Sequence, residues 1–156
     1  MNLKTIAILA SMALCFTAQA SEQSVELIID KSNSLKVEVV ANYTAGNTLC
    51  KQIQGGFIYP HVAQRVKKVS KTVEGNTLKF DKKIRGFCNY KLNQLSLQVS
   101  TGDTISAKKR SILTSLNDGS GIYELDCIKS NKSLECTGDS IRLDSSNSAE
   151  VKINLL

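Results

Sequence analysis

The chain has 156 residues, with 20 Lys+Arg against 14 Asp+Glu, one His, five Cys, one Pro and no Trp. That length holds one domain, which excludes a two-domain enzyme and a long solenoid. With 42% hydrophobic and 22% charged residues, the composition is that of a folded globular chain and not of a disordered one.

Residues 1–20 read as an address. Met1 to Lys4 is a short positive start, and Thr5 to Phe16 is an apolar run too short to span a bilayer. Ala18-Gln19-Ala20 is a small-x-small cleavage site, which predicts a mature β domain over 21–156. Cys15 follows Leu14 and not a small residue, so the leader reads as cleaved and not lipid-bearing. No further apolar run extends it, and no transmembrane segment is predicted. The leader has a bacterial form, so the expected compartment is the periplasm, with the extracellular space as the alternative. The sequons at Asn42 and Asn131 are then coincidental.

Without Cys15, four cysteines remain: Cys50, Cys88, Cys127 and Cys136. An even number in an exported chain predicts two disulfides. Neither C-x-x-C pairs nor histidine partners are present, so zinc is not expected, and nothing implies a cofactor. Ile122 to Ile128 alternates as a strand, Ser130 to Ser133 reads as a tight turn, and Leu134 to Cys136 begins the return. With Asn131 and Lys132 as a two-residue loop, residues whose numbers sum to 263 face each other. Cys127 and Cys136 are then directly opposite, in a non-hydrogen-bonded pair suited to a bridge. By elimination, Cys50 pairs with Cys88.

Period-two alternation dominates the rest. Val25 to Ile29 and Leu35 to Tyr43 look like one hairpin on one sheet. Residues 61–73 are ambiguous. Val62, Val66, Val69 and Val73 fall on a helical stripe after Pro60, which favours a short basic helix near 61–70. Valine's preference and the following turn favour a strand instead. Glu74-Gly75-Asn76-Thr77 is a hairpin signal leading to Leu78 and Phe80. Strands are also expected around Phe57–Tyr59, Phe87–Leu92 and Leu95–Val99, and then at Ile141–Leu143 and Val151–Leu155. The expected fold is all-β and mostly antiparallel, a single small sandwich or flattened barrel of about eight to ten strands.

Charge is uneven. Residues 51–110 carry thirteen cations and three acids, whereas 111–156 carry four cations and seven acids. A basic face predicts an acidic partner, and Arg65, Lys67, Lys68, Lys71, Lys82, Lys83 and Arg85 are the candidate partner-binding residues. Aromatics are too few and scattered for nucleic acid to be a partner. Lysines on a sheet edge also serve simply to prevent edge-to-edge pairing.

Catalysis is poorly supported. His61, beside Pro60, reads as an exposed turn residue, and no nucleophile motif accompanies it. Glu124, Asp126 and Glu135 fall on the expected solvent face of the last hairpin and not in a converging acid pair. The expectation is a non-catalytic binding domain, an inhibitor or immunity-type protein that neutralises an acidic partner such as a cell-wall hydrolase or secreted toxin. The alternatives are a fimbrial-type assembly subunit, suggested by the strand ending at Cys50, and a binder of anionic glycan or lipid.

Overall fold

In a computed structural model, residues 24–54, 61–102, 105–113 and 121–156 are described. The leader and Phe57–Tyr59 lie outside them. Thirteen strands lie among the described residues: β1 (Ser24–Lys31), β2 (Leu35–Ala45), β3 (Lys51–Gln54), β4 (His61–Gln64), β5 (Val66–Thr72), β6 (Thr77–Asp81) and β7 (Lys83–Ile84), then β8 (Tyr90–Thr101), β9 (Arg110–Leu113), β10 (Ile122–Lys129), β11 (Leu134–Gly138), β12 (Ile141–Arg142) and β13 (Ser148–Leu155). The count exceeds eight to ten because β3, β4, β7 and β12 are pieces of only two to four residues. Residues 61–73 are strand and not helix: β5 pairs along β2, whose alternation supplies it with a ready partner.

Two sheets face each other without closing into a barrel. One runs β11-β10-β13-β1-β6 and the other β12-β9-β8-β2-β5, with β7 on β8 and a separate β3-β4 ribbon. Pairing is mainly antiparallel, but β13 lies parallel to both β1 and β10, and β12 parallel to β9. The alternating apolar residues meet between the sheets. Leu27, Ile29, Leu125 and Val151 come from one side, and Val37, Val39, Leu97 and Ile112 from the other, all buried. Each such side chain contributes about 1.5–3 kcal/mol when fully buried.

Two expected hairpins are instead corners. Residues 25–29 and 35–43 belong to opposite sheets, because β1 is taken up by β13 and β6 and β2 by β8 and β5. The Glu74–Thr77 turn likewise carries the chain from one sheet to the other. Val73 N donates to Val37 O at 2.9 Å, and three residues later Asn76 O accepts from Ile29 N at 2.7 Å. Opposed faces of a sandwich bury the same alternating residues that a side-by-side hairpin would.

Both disulfides form as expected, Cys50–Cys88 and Cys127–Cys136. Cys127 and Cys136 are direct register partners, as are Lys129 and Leu134. Ser130 N donates to Ser133 O at 2.9 Å and closes the turn.

Candidate functional site

The Cys50–Cys88 bridge ties two turns that lie just beyond the end of the β2-β8 ladder, at the Ala45–Tyr90 pair. On one side, Cys50 N donates to Asn47 O, and Leu49 N donates to the Asn47 side-chain oxygen, each at 3.0 Å. On the other, Asn89 adopts a φ of 45° and donates its N–H to Gly86 O at 3.0 Å. Asparagine tolerates this left-handed conformation. Asn47 then spans the two turns, its side-chain amide donating to Phe87 O at 3.0 Å. Gly46 permits the approach, since a Cβ there would lie 2.7 Å from Asn89 O. The β3-β4 ribbon springs from the same place. Arg65 N donates to Cys50 O at 3.0 Å, and the Gln64 amide sits 3.2 and 3.0 Å from the carbonyls of Asn47 and Cys50, where its nitrogen donates to both.

This stapled end carries unusual apolar exposure. Leu49 is 77% exposed, Phe87 74%, and the cross-strand partners Ile53 and Val62 are 78% and 65% exposed. Leu49 and Phe87 each precede a bridged cysteine within its turn. That adjacency was the signal available in the sequence, but large apolar residues beside cysteines ordinarily read as core.

An open cleft of about 990 Å³ is lined by Lys82, Lys83, Arg85, Asn89 and Lys91, residues on either side of Phe87 in the chain, with Asp81 as the acid among its lining residues. The strands hold it in shape: β7 pairs with the start of β8, Leu92 N donates to Lys82 O at 2.8 Å, and the Tyr43 hydroxyl donates to Asp81 O at 2.9 Å. Burial, and secondarily the charge of Asp81, raise the Tyr43 phenol above its ordinary pKa, so it remains a donor at neutral pH. Lys91 and Asn89 were not among the residues singled out from sequence.

Of the predicted partner-binding residues, Lys82, Lys83 and Arg85 are thus brought together. Arg65 is exposed at the root of the ribbon. The β5 cations are divided between two faces. Lys67 and Lys71 lie opposite the buried Tyr43 and Val39, on the core side, whereas Lys68 lies opposite Asn42 on the outer side. Lys67 Nζ sits 6.0 Å from the Tyr90 ring centre. Lys71 Nζ is 4.9 Å from that of Phe80 and donates to Lys79 O at 2.5 Å. Their ammonium groups emerge at the rim, as long cationic side chains do when their stems are covered.

A second, smaller cleft of about 410 Å³ lies among Lys108, Lys109, Arg110 and Asp139. Arg110 crosses it to donate to Gly138 O at 3.0 Å. His61 opens β4, and its side chain lies outside the described residues. Among the described residues, no three His, Cys, Asp or Glu side chains gather closely enough to hold a metal, and no helix is long and apolar enough to cross a membrane. Glu124 and Asp126 are exposed on β10, Glu124 beside Lys152 at 3.8 Å and Asp126 accepting from the Asn154 amide at 2.9 Å. Compared with known families, curated proteins and solved structures, the chain matches none.

Proposed function

We propose that this is an exported, non-catalytic protein-binding domain, an inhibitor or immunity-type protein that neutralises an acidic partner such as a cell-wall hydrolase or a secreted toxin. The two disulfides are consistent with an oxidising, exported compartment. The observation that carries the reading is the stapled end, where Lys82, Lys83, Arg85 and Lys91 line one cleft and the exposed Phe87 and Leu49 stand on the two turns that the bridge joins. Protein interfaces combine apolar anchors with charged surroundings of this sort. A one-signed cleft speeds capture of an oppositely charged partner and sets its orientation. A disulfide holding both turns lowers the ordering cost of binding.

The test is affinity capture. Oxidised residues 21–156 are immobilised and exposed to the source cell's envelope and secreted fractions at physiological salt, beside a Lys83→Glu/Arg85→Glu variant and a Phe87→Asp variant. The expected result is one acidic protein held stoichiometrically by the native domain and lost from both variants. Retention of many anionic species, falling steeply with salt and indifferent to Phe87, would replace this reading with the glycan or lipid binder.

A further inference from the structure

Sheet edges present rows of backbone N–H and C=O groups that invite another strand unless something covers them. This sandwich treats its edges unequally. On β6, the bond from Ile29 N to Asn76 O sets a register that turns the carbonyls of Lys79 and Asp81 outward. Both are capped from the opposite sheet, the first by Lys71 Nζ at 2.5 Å and the second by the Tyr43 hydroxyl at 2.9 Å. On β11, the bond from Ser130 N to Ser133 O leaves Leu134, Cys136 and Gly138 facing outward, and Arg110 caps the carbonyl of the last.

The β5 edge is uncapped. Val73 donates to Val37 O, and Arg65 O accepts from Ala45 N, so the residues bonded to β2 are 65, 67, 69, 71 and 73. Val66, Lys68, Ser70 and Thr72 therefore direct their N–H and C=O groups away from the sheet. Among the described residues, no other strand or side chain takes them. The charges along this edge define what can sit there. Lys67 and Lys71 rise on its inner side and Lys68 on its outer side, and among the described residues Lys68 makes no ion pair. A second copy pairing here in the register centred on Val69 would set Lys67 against Lys71, which is destabilising.

We propose that the β5 edge, Val66–Thr72, takes up an extended acidic strand. This deepens the reading above by giving the acidic partner a mode of attachment: backbone hydrogen bonds supply affinity, and carboxylates alternating to the two faces meet Lys68 on one and Lys67 and Lys71 on the other. It rests on that reading's acidic protein partner, but on different residues from the cleft.

The probe is a synthetic peptide of about ten residues in Glu-Glu-Thr-Thr repeats, which places carboxylates on both faces of an extended strand, read by amide hydrogen exchange on oxidised residues 21–156. The expected result is slowed exchange at Val66, Lys68, Ser70 and Thr72, with the amides of Lys67, Val69 and Lys71 unchanged. Ser70→Pro removes one outward N–H at an edge position where proline is tolerated. It should weaken the peptide about tenfold or more, while Ser70→Ala binds as the native domain does. If Ser70→Pro does not fold, the peptide N-methylated at alternate residues makes the same test, and should fail to bind. Equal binding by Ser70→Pro or by the N-methylated peptide would show contact through charge alone, overturning the strand while leaving an acidic partner intact. No binding of the peptide to the native domain would also overturn the strand, and the capture experiment decides the acidic-partner reading separately. Protection of the same four amides that rises with protein concentration and without peptide would assign the edge to a second copy, and overturn the proposal as well.

Discussion

The two disulfides do different work, and the regions around them differ accordingly. Cys127–Cys136 joins residues already opposite each other in a ladder, over a buried Cys127. The outer face above it mixes Ile122 and Ile128 with Glu124 and Asp126, an ordinary solvated alternation. Cys50–Cys88 joins two turns that lie outside any ladder and are otherwise tied by hydrogen bonds from Gly46 and Asn47, separated by 38 positions in the chain, and around it cations and exposed apolar side chains gather. One bridge reinforces a strand pair; the other fixes the shape of a surface.

The largest effects should come from breaking the bridges. On the chain-entropy model, replacing Cys50 and Cys88 with serine costs about 4 kcal/mol, and replacing Cys127 and Cys136 somewhat under about 3 kcal/mol. Denaturant unfolding measures both. Only the first pair should also abolish partner capture, and equal loss of capture from both would break the comparison. Full oxidised stability in the presence of reductant would contradict both bridges.

The glycines sharpen it further. A Cβ on Gly138, at φ 151°, would lie 2.3 Å from Glu124 O, whereas one on Gly46 would lie 2.7 Å from Asn89 O. Gly138→Ala should cost about 2–3 kcal/mol, combining a clash with an unfavourable φ, with no effect on binding. Gly46→Ala should cost less, about 1–2 kcal/mol of strain and overpacking, yet weaken binding by moving the Phe87 turn. Smaller again, Tyr43→Phe should cost about 1 kcal/mol by uncapping Asp81 O beside the cleft.

The smallest differences are in pH. Asp144, in the turn before β13, is held below the ordinary carboxyl value by the Ser146 hydroxyl and the Ser148 and Ser146 N–H groups, against a small opposing desolvation. Its contribution is present above the unfolded value near 4 and is lost as pH falls through the lower folded one. Tyr43 behaves oppositely. Its raised value makes its contribution complete below about 10 and lost as pH rises further. Acid should therefore loosen the β12–β13 turn first and alkali the stapled end, as followed by hydrogen exchange. Asp144→Asn should remove the acid component.

Most of the longer strands were legible from period two, and the two-residue turn fixed Cys127 opposite Cys136, leaving Cys50–Cys88 to follow by elimination. Sheet membership was not. Residues 25–43 and 69–80 alternate identically whether their strands lie side by side or face to face, and Gly75-Asn76 suits a corner as well as a hairpin. The placement of β13 parallel to β1 depends on residues more than a hundred positions away, which local pattern does not encode. Counting charge located Lys82, Lys83 and Arg85, but could not separate Lys68 from Lys67 and Lys71, because the face of β5 depends on its register with β2.

The most direct measurement compares two variants of equal charge change in the capture experiment: Lys83→Glu/Arg85→Glu at the stapled end, and Lys108→Glu/Lys109→Glu at the second cleft. If the stapled end is the partner surface, the first variant loses the retained protein and the second keeps it. Equal loss from both, or loss from the second alone, would contradict that assignment.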